Sequence, residues 1–331
     1  MCPGLFSKCL LFILSVVHRD FRKAEITGYA QGTAYHITYY APESVVTKKQ
    51  IDSIFDKIDT SLSLYNPNSL ITRFNVSEKG IEVDDHFKAV FNKSQEVYQA
   101  TSGLFDITIQ PLVEAWGFGI REIDGMPNDS TLAQLKSCVG SHLLVLKDHF
   151  LSKKKSCVAV DMNGIAQGYS VDVIADFLEQ YGIFNYVIEL GGELRVKGKN
   201  HSGEKFKIGI ESPAENEFDN KLTTILSVDS GAITTSGSYR KYYESNGKKL
   251  SHLINPSTGY PAQNELISVT VYAKDGITAD AFDNALMLMG VNNALEFVEE
   301  RDDLEAYFIY KNSDGVIADT ASRGFYKKLN R

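Results

Sequence analysis

The chain has 331 residues, 43% of them hydrophobic and 23% charged. This is an ordinary globular composition, long enough for one large domain or two intimate ones. The formal net charge of −8 argues against nucleic acid as a partner, because phosphate backbones attract basic surfaces, and it suits a bound cation better. None of the four cysteines (Cys2, Cys9, Cys138, Cys157) forms a C-x-x-C pair, which disfavours a zinc or dithiol site. A Cys138–Cys157 bridge is permitted, but spacing does not dictate it.

Cys9 to Val17 is an unbroken apolar run, preceded by Lys8 and followed by a basic stretch to Lys23. It is too short to span a bilayer comfortably but fits the apolar core of an export signal. Residues 1–23 are therefore expected to form an export or membrane-proximal segment, with a packed N-terminal helix as the alternative, and 24–331 to form the functional domain. The small residues that precede a lipid-bearing cysteine are absent, since Lys8 stands before Cys9.

Ile26 to Tyr40 alternates and reads as a strand or hairpin with Gln31-Gly32-Thr33 at its middle. Thr47 and Gln50 form a capping-box pattern ahead of a helical stripe of Ile51, Ile54, Phe55, Ile58 and Leu62. A polar loop with a turn at Asn66-Pro67 follows, then a second helix starting near Asp84. Trp116 sits beside Gly117 and Gly119, where it could stack on a planar ligand or pack beneath a loop. Asp129 to Ser137 reads as a short helix, and His142–Leu146 with Ser156–Val160 as a strand pair.

The stretch Asp161 to Asp172 joins a short buried strand, Cys157–Val160, to a helix whose Val171, Ile174, Ala175 and Leu178 recur at helical spacing. Gly164 and Gly168 thus fall in a strand-to-helix turn. Glycine there permits close backbone approach, and the helix N-terminus offers N–H groups suited to phosphate, although an ordinary tight turn has the same spacing. Tyr186–Leu190 and Glu193–Val196 read as a hairpin through Gly191-Gly192. Further strands are expected at Lys207–Glu211 and Thr223–Asp229, and a hairpin around Asn246-Gly247. After a strand at Ile267–Ala273, a helix opens at Thr278 and runs to about Met289, a short helix covers Asn292–Glu300, and a hairpin closes the chain. Strands and helices mix without regular alternation, so the expected class is α+β, with mixed or antiparallel sheets and flanking helices.

Asp280, Asp283 and Asn284 lie at i, i+3 and i+4 and share one helix face. Their oxygens can converge on a hard cation such as magnesium. They can equally form a polar first turn favoured by the helix dipole. Thr234, Thr235 and Ser236 can donate hydroxyl bonds to a pyrophosphate, with Arg240 or Lys241 nearby, or simply end a threonine-rich strand. His252 has the pKa range for proton transfer, or serves structurally.

Together these segments resemble the ApbE family, the FAD:protein FMN transferases, in order over about residues 26 to 329. The segments are Gln31-Gly-Thr33, the loop from Ser63 to Asn75, Gly103–Thr108, Pro111-Leu112, Trp116-Gly117, Asp161–Asp172, Leu190–Glu193, Thr234–Gly237, Ser251-His252, Asn255–Pro261 and Thr278–Asp280. The resemblance implies an ApbE-like, T-fold-like architecture. It implies FAD as substrate with Mg²⁺ on its pyrophosphate, attack by a Ser or Thr hydroxyl of an acceptor protein, loss of AMP, and FMN left as a phosphoester. It places the metal at Asp280, Asp283, Asn284 and the Gly164 carbonyl, and FAD at Gln31, Ser69, Leu70, Ile71, Asp106, Asp161, Gln167, Thr235 and Ile254. His252 and Asp280 would carry the chemistry. The acceptor would bear a Ser/Thr-Gly-Ala-Ser/Thr type of motif, as on a redox-pump subunit, at the periplasmic face of the membrane. The chain departs from the family where Gln31 replaces methionine, Gln167 lysine and Asn284 threonine, and Asp283 adds a carboxylate. Two other activities use the same residues: hydrolysis of FAD to FMN and AMP, and binding of FAD without turnover.

Overall fold

The computed structural model describes residues 21–120, 125–211, 222–237, 242–245 and 248–329. Eight strands form one antiparallel sheet in the order Arg22–Ala30, Thr33–Ala41, Tyr186–Leu190, Glu193–Lys197, Ser230–Gly237, Leu266–Ala273, Leu304–Lys311 and Ile317–Ala321. This is the α+β architecture expected from the unalternating order of elements. The first hairpin turns at Gln31-Gly32, both with positive φ (50° and 77°), which is why a glycine stands there. The second turns at Gly191-Gly192, with φ of 66° and 117°.

Helices cover one face of the sheet because their apolar stripes match it. Thr47 caps the Lys48–Leu62 helix through the full capping box with Gln50, and Asp84 caps Asp85–Ala100. Ile51, Phe55, Val171, Ile174 and Leu178 bury their side chains against Tyr35, Ile37, Tyr186 and Ile188 of the sheet. The Gly276–Met289 helix is apolar on most sides. Ala279, Phe282, Ala285 and Leu286 are fully buried in the largest core. A third cluster involves the small sheet Phe206–Glu211/Leu222–Val228, with Phe206, Ile210 and Leu226 meeting Val196, Ile309 and Phe325.

Two expectations need correction. The strand pair before the glycine turn is Leu144–Lys147 with Phe150–Lys153, so the hairpin closes earlier than the residue pattern implied. Residues 156–160 form no strand. Val158 and Val160 are fully buried, which explains the apolar pattern, but a side chain takes the place of a strand partner. Asn75 Oδ1 accepts from Val160 N at 2.7 Å and Asn75 Nδ2 donates to Val160 O at 2.9 Å. Cys157 is bonded to Cys138, so the spacing that left the bridge open did conceal one. The hairpin Tyr242–Ser245/Lys248–Ser251 forms as expected, while Asn246-Gly247 itself lies outside the described residues. So does the apolar run from Cys9 to Val17. Among the described residues no helix is long and apolar enough to cross a membrane.

Candidate functional site

The glycine turn enters the Ala166–Gln180 helix, which lies antiparallel against Gly276–Met289. The contact is very close because both helices carry glycine where they meet. A methyl group added at Gly168 would stand 2.2 Å from Gly276 O and 2.6 Å from Asp280 Cβ. This close approach carries the acidic helix face to the turn. Gly168 N donates to Asp280 Oδ2 at 2.8 Å. Asn284 Nδ2 donates to Gly164 O at 3.3 Å, Asp280 O at 3.0 Å and Asp283 Oδ1 at 2.9 Å. The Asn284 amide nitrogen thus links the Gly164 carbonyl of the turn to the backbone carbonyl of Asp280 and the carboxylate of Asp283 on the helix. Ser236 Oγ, from the neighbouring strand, donates to Asn284 Oδ1 at 3.2 Å. Gly164, Asp280, Asp283 and Asn284 are thus brought together, with the Asn284 amide nitrogen facing Gly164 and Asp283 and its oxygen facing Ser236.

The electrostatics of this cluster are unusual. Asp280 and Asp283 are 4% and 2% exposed. Burial is the main cause that pushes Asp280 up to about 7, against the Gly168 N–H, with the nearby Asp172 charge raising it further. Asp283 is also held well above the usual carboxylate range, first by burial and next by Asp280. The Thr234 hydroxyl is buried without a hydrogen bond of normal geometry, yet it stands close enough to Asp283 to favour the charged form. Glu193 adds negative potential from the Gly191-Gly192 hairpin. Two buried carboxylates that repel each other are costly unless a positive charge joins them. Among the described residues, no three His, Cys, Asp or Glu side chains are close enough to hold a metal ion by themselves. Two carboxylates, an amide and a backbone carbonyl do stand together here, and oxygen-bearing groups of this kind suit hard cations.

The remaining candidates fall into three places. Gln31 and Gln167 approach the same helix start. Gln31 Nε2 donates to Ser170 Oγ at 2.8 Å while its Oε1 is buried without a hydrogen bond. A methyl group at Gly191 would lie 2.8 Å from Thr33 Cγ2 and 3.3 Å from Gln167 Nε2, so the tip of the second hairpin meets both the first hairpin and Gln167. Asp106, Ser69, Leu70, Ile71 and Asp161 form the frame behind the turn. The Asp106 carboxylate accepts from Thr108 N and Oγ1 and from Ser141 N and Oγ. Burial raises its pKa despite these four donors. Ser69 is the buried N-cap of Leu70–Val76, with Ile71 in the core. Asp161 N donates to Ile107 O at 2.7 Å and its Oδ1 accepts from Asn163 N. Ile254 packs with Leu112, Trp116 and Leu132. Trp116 donates to Gly259 O at 2.8 Å, so the tryptophan pins the Asn255–Pro261 loop. His252 lies edge-on to Phe118, with centroids 6.4 Å apart.

Thr235 does not share the inner face of its strand. It is exposed and bonds Thr270 Oγ1 at 2.9 Å, while Thr234 and Ser236 point inward, as the two-residue period of a strand requires. Arg240 and Lys241 lie outside the described residues. A cleft of about 610 Å³ does not include the carboxylates. It begins at Leu288, one helical turn beyond Asn284, and runs between Asn255, Tyr260, Gln263 and Asn264.

Sequence reasoning missed two half-buried residues. Asp172 accepts from Gly276 N at 2.8 Å and Ile277 N at 2.9 Å, and Arg195 Nε pairs with Asp172 Oδ1 at 3.1 Å. Asp172 stood at the end of the motif that drew attention to the turn, but its partner is 104 residues away, and no local pattern reveals it.

Comparison with known proteins places the chain in a family. The ApbE family model matches residues 31–308. The chain is 32% identical to the FAD:protein FMN transferase of Haemophilus influenzae, over 99% of this chain and 98% of that one. It is 33% identical to that of Vibrio cholerae, over 97% of each. Among solved structures, the flavin transferase ApbE from Vibrio cholerae superposes with a TM-score of 0.83 at 32% identity, covering 93% of this chain and all of the other. The apo flavinyl transferase ApbE of Pseudomonas stutzeri gives 0.85 at 27% identity, over 94% and 98%. By sequence and by fold alike, the chain belongs to the ApbE family.

Proposed function

We propose that this protein transfers the FMN moiety of FAD to a Ser or Thr hydroxyl of an acceptor protein, with AMP as the other product. The relatives' activity supports the flavin transfer. The observation that carries the rest is the pair of buried carboxylates, Asp280 and Asp283, which repel each other beside the Gly164 turn and Asn284, with no Lys or Arg paired with either among the described residues.

The residues fit a divalent cation such as Mg²⁺. Asp280, Asp283, the Gly164 carbonyl and the Asn284 amide oxygen would hold it. When bound, such an ion neutralises charge on a pyrophosphate and so favours displacement at phosphorus. The chain's own residues do the positioning. Gln167, in the first turn of the Ala166–Gln180 helix, offers an amide donor to phosphate oxygens in the same region, while the Gly168 N–H is held by Asp280. Gln31 offers a buried carbonyl oxygen that lacks a hydrogen bond, suited to a donor on the dinucleotide. Half-buried His252 lies just beyond the Lys248–Ser251 strand, three residues before the Asn255–Pro261 loop that Trp116 pins. Its imidazole is assigned the proton of the incoming acceptor hydroxyl, a role this side chain commonly fills.

The Cys138–Cys157 bridge supports export. Disulfides persist in oxidising compartments, and the apolar run at Cys9–Val17 has the character of an export segment. We place the protein at the periplasmic face of the membrane, acting on an exported acceptor with a Ser/Thr-Gly-Ala-Ser/Thr type of motif.

The test is incubation with FAD, Mg²⁺ and an acceptor bearing that motif, followed by in-gel flavin fluorescence and intact mass. The acceptor should gain one FMN and AMP should appear in equal amount. Asp280→Ala should abolish both. Rapid release of free FMN with the acceptor left unlabelled would replace transfer by hydrolysis. Intact FAD recovered with wild-type protein would leave binding alone.

A further inference from the structure

The polar ties between the two helices fall on a regular register. Gly164 pairs with Asn284, Gly168 with Asp280, and Asp172 with Gly276. Each step moves four residues forward on one segment and four back on the other, so successive ties are about 6 Å apart along the helices. The first two ties belong to the candidate metal centre. The third does not touch it.

That third tie is also the most complete. The first N–H groups of a helix have no partner within it. At Gly276–Met289, Asp172 accepts from the first two, Gly276 N and Ile277 N. Asp275, the N-cap, accepts from Thr278 N at 3.1 Å. The helix that carries Asp280 is thus capped by a carboxylate on the helix that follows the glycine turn. Arg195 completes the arrangement. Its Nε pairs with Asp172, and its Nη1 donates to Gly231 O at 3.0 Å, at the start of the strand bearing Thr234 and Ser236. One ion pair therefore reaches the helix after the glycine turn, the acidic helix and the hydroxyl strand.

We propose that Asp172 and Arg195 are positioning residues that set the register of the glycine turn against the acidic helix, and through it the affinity of the site for its divalent cation. A coordination site must be held to about 0.5 Å. Residues outside the ligand set that orient it change metal affinity by roughly 10–100-fold when removed. Removing the Asp172 carboxylate leaves the Gly276 and Ile277 N–H groups without an acceptor and a half-buried guanidinium without its counter-ion, and the helix end is released. The proposal rests on the cation site described above, so its test carries one readout that needs no metal.

The variants are Asp172→Ala, Asp172→Asn and, as a control for lost stability, Ser322→Ala, which removes the buried cap of Arg323–Tyr326 at the far edge of the sheet. Hydrogen exchange is followed by mass spectrometry on overlapping peptides resolving the Gly168 amide. Binding of Mn²⁺ alone is followed by loss of the free-ion paramagnetic signal. In Asp172→Ala, Gly168 should lose at least tenfold of its protection and Mn²⁺ should bind about 10–100-fold more weakly. Asp172→Asn, which keeps one acceptor oxygen, should recover part of both. Ser322→Ala should melt earlier with both unchanged. Exchange loss confined to Gly276 and Ile277, with Gly168 still protected, would overturn the proposal. So would Mn²⁺ affinity equal to wild type in Asp172→Ala. If wild-type protein binds no Mn²⁺, the cation site and the affinity claim fail together, and Gly168 exchange still decides whether Asp172 sets the register.

Discussion

Gly168→Ala tests the closest contact in the molecule. The added methyl would lie 2.2 Å from Gly276 O, and ordinary contact begins at 3.4 Å, so the two backbones must part by about 1.2 Å. The Gly168 N–H to Asp280 bond, now 2.8 Å, would then reach roughly 4 Å and cease to be one. Overpacking of this kind costs about 1–3 kcal/mol, and a lost hydrogen bond to a charged group about 1.5–3 kcal/mol. Alanine returns about 1 kcal/mol through its better helix propensity. The net expectation is a loss of about 2–4 kcal/mol, or a fall in Tm on the order of 10 °C. Gly164→Ala is the counterpart. Its methyl meets only the Asn284 amide, at 3.1 Å, a side chain that can rotate, so the loss should stay below about 1 kcal/mol. Thermal melts of the two variants, with FAD turnover measured alongside, separate the two cases. A Gly168→Ala protein melting within about 2 °C of wild type, with unchanged turnover, would refute the claim that the helices meet without slack.

Other outcomes follow from the same geometry. Asp283→Asn removes one of two repelling buried carboxylates, so in EDTA at pH 8 it should raise Tm while cutting FMN transfer at least about a hundredfold, read by melting and by acceptor fluorescence. Asp172 is pushed up to about 6, chiefly by burial against the pull of two N–H groups and Arg195. Its folded pKa exceeds its unfolded one, so its contribution to stability is full below about pH 4 and is lost as pH rises through 6, up to about 3 kcal/mol. Urea melts across that range should show the decline, and Asp172→Asn should flatten it. The Cys138–Cys157 bridge closes a short loop with a sequence separation of 19. Replacing both residues by serine should cost about 3 kcal/mol, measured by denaturant unfolding. His252→Gln should slow flavin transfer to the acceptor more than it weakens FAD binding, measured by turnover beside a fluorescence titration.

The parts of the fold that follow local rules were legible in the sequence. The capping box at Thr47, the Asp84 cap, the double-glycine hairpin and the helical stripes each depend on residues a few positions apart. The candidate site was legible for a different reason. Asp280, Asp283 and Asn284 share a helix face by spacing alone, and the ordered segments resembling the ApbE family named the distant turn that faces them. Three features could not be read locally. Val158 and Val160 alternate like a strand, but the hydrogen bonds of Val160 go to the Asn75 side chain and those of Val158 to Lys155 and Lys153. Thr235 carries the same hydroxyl as its neighbour, but the strand turns it outward. Asp172 and Arg195 look like ordinary charged residues until the third dimension places one on the other.

The helix pairing also determines where the chain can change length. A residue inserted between Gly164 and Asp172, or between Gly276 and Asn284, would rotate everything beyond it by about 100° and misalign every facing partner at once. Between these two spans lie more than a hundred residues of hairpins and connections whose length does not alter the facing pairs. Loop grafts, affinity tags or reporter domains therefore belong in those connections, and the two nine-residue spans should be carried unbroken into any chimera of this protein.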